Sequence, residues 1–439
     1  MNVGNRGRRG IAGFSGADFR AHCPIVPVCP SSRDFTPLMA RWRWYYATPV
    51  VSSQAGRQMA LRVAFNATPL LSPLTGIGNY IVQLGAALAA TGSIDAYAFY
   101  RYRWRHQAPR PPNDSGGAMA ALVGRTKRWL PFRGALRLAA HQIGFARGLR
   151  RHAIDIYHEP NYVPISYDVP VVVTVHDLSW LRYPDAHPVD RVRWLERGLP
   201  KALDRAGAIL VDSAFVRDEV LTTFNVDPRR VHVAHLGVSA AFRPRTAEKT
   251  MATLHPLDLA HRGYVLTLGT IEPRKNIGHV LAAYAALPAA LRARYPLVVA
   301  GAKGWRAGDL EKELHVLASR GQVRFLGHVP ADALPDLFAG AAAFVFPSLY
   351  EGFGLPPLEA MASGVPVLVS DRSSLPEVTG DAGVRLDPEQ PLDTAAKLAA
   401  VLDDPVAHAE WVRRGLDRAK GFSWDACARA TLAVYGTLV

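Results

Sequence analysis

Two carboxylates separated by seven residues, Glu351 and Glu359, bracket a tight turn in the stretch PSLYEGFGLPPLEAMASGVPVLVS. The apolar run AAAFVFPS before them reads as a buried strand. PPLEAMASG reads as a helix begun by proline and stopped at Gly364, and VPVLVS reads as the next strand. Gly352, Phe353, Gly354 and Leu355 would then sit at a helix N-terminus, where free backbone N–H groups and the helix dipole favour an anion and glycines let it come close. That is a seat for a diphosphate. On this reading Glu359 lies in the first helical turn, where a carboxylate is favoured, and can accept two hydrogen bonds from a ribose diol. Glu351, just ahead of the turn, can face a sugar. A second cluster lies in LTLGTIEPRKNIGHVLAAYAAL, where a strand ends at Gly269 and a helix begins near Asn276. Arg274 and Lys275 at that junction can neutralise a departing diphosphate. Each residue also has a plainer reading: a helix-start glutamate, glycines serving turn geometry, two solvated cations.

Further candidates lie in the first half. LLSPLTGIGNYIVQL puts Gly76 and Gly78 between the first strand and its helix, a weak signal alone. VVVTVHDLSW puts His176 and Asp177 at a strand end, and YHEPNYVPIS does the same for His158, Glu159 and Asn161, which could shape an acceptor side. SDRSSLPEVTGDAG follows the strand after Glu359. It is expected to shape a nucleotide pocket, although Glu377 alone reads as a carboxylate at a helix start.

These residues need strand ends facing one cleft. From Leu61 the short apolar runs LRVAF, DIYHEP, VVVTVHD, AILVDS and VHVAHLG alternate with helical stretches; after an aperiodic pause at SAAFRPRTAEKTMATLHPLDLAHRG the alternation resumes with YVLTLGT, YPLVVAG, VRFLG, AFVFPS and VPVLVS. Continuous apolar strands separated by helices mean parallel sheets covered on both faces, with ligands at the strand C-terminal ends. The expected fold class is α/β, two Rossmann-like doubly wound domains facing a central cleft. The expected domains are a disordered or non-native extension over 1–58, a first Rossmann-like domain over 59–245, and a second Rossmann-like domain over 246–420. A C-terminal helix over 421–439 completes the chain. Residues 1–58 show no period of 2 or 3.6 and no secretory-signal pattern, and Met59 reads as a functional start.

The formal charge of +14 is uneven: residues 101–151 hold twelve Lys or Arg and one acid, Asp114. A basic surface seeks phosphates on lipid, nucleotide or nucleic acid. On a helical wheel Arg133, Arg137, Arg147 and Arg151 share one face of RTKRWLPFRGALRLAAHQIGFARGLRR, opposite Leu138, Phe145 and Leu149. That pattern fits either a surface helix packed on the sheet or peripheral contact of 125–151 with an anionic membrane. No nucleic-acid reader motif accompanies the charge, so no nucleic-acid partner is expected. No run of about eighteen apolar residues occurs, and three scattered cysteines fit a reducing compartment. No clustered His/Asp ligand set and no Asp-x-Asp at a strand end is seen, so no metal is expected.

EGFGLPPLE resembles the signature of the family 4 retaining glycosyltransferases, a glutamate, seven residues and a second glutamate; GTIEPRKN, SSLPEV and VTVHDLS resemble further segments of that family, and the likeness runs over roughly 61–438. The resemblance implies the GT-B fold, with 59–245 as the acceptor domain and 246–420 as the nucleotide-sugar donor domain, Glu359 on the nucleotide ribose, Glu351 beside the donor sugar, His176 on that sugar, and a last helix that crosses back to the first domain. It implies Arg274, Lys275 and the helix N-terminus at Gly354 in place of a metal, with front-face attack by the acceptor hydroxyl. One departure is Thr270, where many relatives carry arginine. Likeness of GTIEPRKN and SSLPEV to bacterial O-antigen mannosyltransferases points to mannose from GDP-mannose. The implied acceptor is a lipid-linked or growing polysaccharide, met in the cytoplasm or at the inner membrane face. Other readings stay open: a glucosyl- or other hexosyltransferase using a UDP- or ADP-sugar, a catalytically inactive lipid-binding protein of this fold, or an epimerase or phosphorylase, although no pyridoxal lysine context is seen.

Overall fold

The computed structural model describes residues 60–71, 76–106, 108–109, 132–302, 304, 308–321 and 323–439, with side chains 132–139, 308–309 and 311 excepted. The expectations for 1–58, Met59 and 125–131 fall outside these residues, as do those for the side chains of Arg133, Arg137 and Leu138.

Two sheets carry the chain. The first runs in the order β3-β2-β1-β4-β5-β6-β7, with β1 Leu61–Asn66, β2 Ile94–Tyr100, β3 Arg103–Arg105, β4 Ile156–Glu159, β5 Val171–Val175, β6 Ala208–Val211 and β7 Val231–Val233. Its strands are parallel except for the edge strand β3, which is antiparallel to β2. The second runs in the order β10-β9-β8-β11-β12-β13, all parallel, with β8 Val265–Leu268, β9 Leu297–Ala300, β10 Val323–Gly327, β11 Ala343–Phe346, β12 Val367–Ser370 and β13 Gly383–Leu386. Runs such as VVVTV in β5 and LVVA in β9 are buried at every position. Such strands need helices on both faces, and the β-branched side chains suit the pleat.

The helices that position the site are α1 Gly76–Ala90, α2 Phe132–Arg151, α3 Ala214–Thr223, α4 Ala247–Leu254, α5 Ile277–Ala285, α6 Leu355–Ala362, α7 Leu375–Thr379 and α8 Trp424–Tyr435. In α1, Tyr80, Leu84 and Leu88 recur every fourth residue and are buried, the stripe of a helix laid on a sheet. α8 packs against α1, and the Tyr435 hydroxyl lies 2.6 Å from His158 Nδ1 on β4. The Val238 N–H donates to the Phe422 carbonyl at 3.3 Å, so the chain leaving the first sheet and the chain returning to it run side by side.

The aperiodic stretch near 240–262 is a correction. It contains α4, tied down by Arg245 and Thr253 on the Asp336 carboxylate at 2.6 Å each. Eight residues span too few turns to show a period. In α2, Phe145 and Leu149 are buried while Arg147, Arg150 and Arg151 are exposed. No helix among the described residues is long and apolar enough to cross a membrane.

Candidate active site

In each sheet the strand order reverses beside the first strand, between β1 and β4 and between β8 and β11. Open parallel sheets bind ligands at such points, because the two following loops part there. In the second sheet, the loop after β8 enters a short turn at Pro273–Lys275 before α5, and the loop after β11 runs from 347 to 354 before α6. The two loops meet through charge. Lys275 Nζ lies 2.5 Å from Glu351 Oε1 and Arg274 Nη1 lies 3.3 Å from Glu351 Oε2. Ser348 donates to the same carboxylate at 2.6 Å, while Arg274 also reaches Glu272 at 2.7 Å and the Tyr350 carbonyl at 2.6 Å. Burial works against the charge of Glu351, but Lys275 and Arg274 overcome it and hold the carboxyl below its usual range. The buried Arg274 Nε has no partner among the described residues.

Beside this cluster the backbone N–H groups of Gly352, Phe353, Gly354 and Leu355 have no acceptor among the described residues. Gly354 caps α6 at φ +112, a conformation side-chain-bearing residues rarely adopt. Pro356 and Pro357 follow, so the second and third helical positions have no N–H to offer. The anion seat is therefore the turn itself more than the helix end. Ser374 fixes the turn by donating to the carbonyls of Glu351 and Phe353 at 2.9 and 2.7 Å.

Glu359 departs from its expected place. It is the fifth residue of α6, beyond the first turn, so the helix dipole does little for it. Its carboxylate has no hydrogen-bond partner among the described residues, and desolvation by burial pushes its pKa up to about 8. A carboxyl in that state accepts hydroxyl donors from a ligand better than it tolerates being left alone.

The first half meets this site closely. A Cβ on Gly352 would lie 1.9 Å from the His176 carbonyl oxygen, so only glycine allows the approach. Ser213 donates to the Gly352 carbonyl at 2.7 Å. His176 follows β5 and is held at both nitrogens, by Asp212 at 2.8 Å and the Pro160 carbonyl at 2.9 Å, with Tyr80 edge-on at 4.8 Å. Burial would depress its pKa, but Asp212 and these hydrogen bonds raise it instead.

Other expectations need correction. Gly76 and Gly78 are the first and third residues of α1, not loop residues between strand and helix, and Gly78 is buried; the preceding residues 72–75 are outside those described. His158 and Glu159 are fully buried and present nothing to an acceptor. Glu159 holds Asn66 Nδ2 at 3.0 Å, the Asn161 N–H at 2.9 Å and the Tyr157 hydroxyl. Burial outweighs these bonds and lifts its pKa to about 7, while burial and the nearby His176 depress that of His158 to about 3. Glu377 does start a helix, but its carboxylate reaches across to the Ala214 and Phe215 N–H groups at 2.8 and 3.1 Å and to His235 at 2.6 Å. Sequence reasoning missed Tyr350, Ser348, Ser374, Asp212 and Glu272. Serines next to the glutamate motif were a usable signal; Asp212 had none, because its partner lies 36 residues away. Among the described residues no cluster of His, Cys, Asp and Glu could hold a metal.

Residues 74–242 match the family described as Glycosyltransferase Family 4, and residues 259–418 match Glycosyl transferases group 1. The O-antigen chain mannosyltransferase B of Escherichia coli is 39% identical over 384 residues, which is 86% of this chain and 100% of that one. Sucrose-phosphate synthase from Thermosynechococcus elongatus superimposes with a TM-score of 0.65 at 19% identity, over 86% of this chain and 99% of that one. Anabaena HepE in complex with UDP-glucose gives 0.64 at 17% identity, over 86% and 99%. The paired sheets, the two glutamates with seven residues between them and a full-length relative agree: the chain belongs to the family 4 glycosyltransferases, hexosyl-transferring enzymes of the GT-B fold.

Proposed function

We propose that this enzyme transfers mannose from GDP-mannose, with retention of configuration, to a growing or lipid-linked polysaccharide. The observation that carries the reading is the unsatisfied face of the second switch point. The four N–H groups of residues 352–355 and the half-buried carboxyl of Glu359 on the helix that follows have no partner among the described residues, and Arg274 and Lys275 are tied to the same loop through Glu351. The donor diphosphate takes the N–H groups of residues 352–355 with Arg274 and Lys275, which stabilise the negative charge that grows as the glycosidic bond breaks. Glu359 accepts the ribose hydroxyls. Glu351 holds the two cations in register and lies beside the sugar, and the His176 loop closes the sugar side. No protein nucleophile stands out in this arrangement, so the acceptor hydroxyl attacks from the face that the diphosphate leaves, and the leaving phosphate takes its proton. Mannose as the sugar is supported by the Escherichia coli relative named above.

A basic face supports contact with an anionic membrane surface on the cytoplasmic side. Arg101, Arg103 and Arg105 around β3 and Arg147, Arg150 and Arg151 on α2 are exposed together with Tyr102 and Ile143, which are 53% and 50% exposed. The test is a transfer assay with GDP-mannose, UDP-glucose and ADP-glucose, with and without EDTA, alongside sedimentation with anionic vesicles. Turnover of GDP-mannose unaffected by EDTA is expected. Preference for UDP-glucose would overturn the sugar, and absence of vesicle binding would overturn the membrane contact.

A further inference from the structure

We propose that Tyr350 is a positioning residue that couples closure of the cleft to the placement of Arg274. Tyr350 follows β11 in the second half, yet its side chain is seated in the first. Its hydroxyl accepts the Leu178 N–H at 2.8 Å and donates to the Glu219 carboxylate, whose other oxygen takes Arg182 Nε at 2.8 Å. Phe215 and Tyr183 flank the ring at 5.8 and 5.9 Å, and the residue is 4% exposed. The backbone carbonyl of the same residue accepts Arg274 Nη1 at 2.6 Å, and the next carboxylate, Glu351, takes Lys275.

One residue therefore has its ring in one half and its carbonyl in the cation cluster of the other. Packing alone would be served by phenylalanine. The hydroxyl is needed because Leu178 N–H and Glu219 are buried, and without it each loses a hydrogen bond that water cannot replace. Leu178 lies two residues past His176, so the same contact sets the spacing between the His176 loop and the Glu351 loop. Opening the cleft pulls the ring from its socket and moves the carbonyl that orients Arg274. Closing it restores both at once.

This inference rests on the reading that Arg274 faces the donor diphosphate, and the experiment separates the two. Tyr350→Phe, Glu219→Ala and the double variant are compared with the full wild-type chain by kinetics with GDP-mannose and by small-angle scattering without nucleotide. Tyr350→Phe is expected to lower kcat about tenfold, with the donor KM within about twofold, since the two buried hydrogen bonds of the hydroxyl are lost in the closed form only. Its ligand-free radius of gyration should exceed that of the wild type. The losses in the two single variants should combine to less than their sum in the double variant, because both remove the Tyr350–Glu219 bond. If Tyr350→Phe misfolds, Glu219→Ala reads the same contact from the other side. Unchanged kcat, additive losses or an unchanged scattering profile would overturn the proposal. If the wild type does not use GDP-mannose, the donor assignment fails while the ligand-free scattering still decides on the latch.

Discussion

The two switch points of this molecule share a topology and differ in chemistry. Between β1 and β4 the crevice is bridged: Asn66 at the end of β1 hydrogen-bonds Glu159 at the end of β4, and His158 is held at both nitrogens by Tyr435 and Thr174. Between β8 and β11 the backbone N–H groups of residues 352–355 and the carboxyl of Glu359 have no partner among the described residues, and two cations stand beside the turn. A polar group left unpaired in a closed space costs free energy unless a ligand satisfies it. The first crevice is thus finished by folding, and the second is finished by binding. Perturbed carboxyls occur in both, Glu159 at about 7 and Glu359 at about 8, so a shifted pKa alone does not tell them apart. The presence or absence of partners does.

The contrast can be broken most sharply at Glu351. Removing its carboxylate in Glu351→Ala leaves Lys275 without its ion partner and Arg274 with Glu272 as its remaining ion pair among the described residues. Transfer should fall by at least about a thousandfold, and stability by about 3 kcal/mol, as expected when one member of a buried ion pair is deleted. A transfer assay and urea unfolding measure the two, and near-normal turnover would remove Glu351 from the site.

The next effect is at Glu359. Glu359→Gln should weaken nucleotide binding by about a hundredfold, the loss of charged acceptance of two hydroxyls. The wild type carries a further signature. A carboxyl raised to about 8 is mostly protonated at pH 7 and must ionise to accept the diol, so nucleotide binding should release a proton. Calorimetry in two buffers of different ionisation enthalpy would show it, and the variant should release none. The same shift fixes the pH trend of the ligand-free protein. The folded state holds its proton more tightly than the unfolded one, so the contribution of Glu359 to stability is full below about pH 4.5 and declines up to about pH 8. Thermal melts of the variant should show a flatter profile across that window.

The smallest expected effect lies in the first crevice. His158→Phe should cost about 1–3 kcal/mol by orphaning the buried Tyr435 hydroxyl and leaving Thr174 with Tyr80 alone, while leaving kcat within about threefold. A large kcat loss at unchanged stability would mean that this crevice takes part in the reaction after all.

Much of this was legible from residue order. The sheet strands announce themselves as short apolar runs, and the Glu351–Glu359 spacing and the Arg274–Lys275 pair lie in contiguous motifs at strand ends. What could not be read was which carboxylate would be paired. Glu359 looked like a first-turn glutamate and is instead a second-turn residue without a partner among the described residues, since α6 starts at Leu355, ahead of the prolines expected to begin it. Glu377 looked like a local helix-start residue and instead holds the opposite half at Ala214 and Phe215. Tyr350 carried no signal, because its hydroxyl partners lie 172 and 131 residues away.

Sequence by itself determined the elements and the chemistry on offer, because burial of strands, prolines at a helix start and glycine at positive φ are properties of neighbours in the chain. Only the tertiary structure decided which polar groups are satisfied. Hydrogen bonds to residues a hundred positions away depend on how two sheets meet, and that meeting separates a closed crevice from one that waits for a ligand.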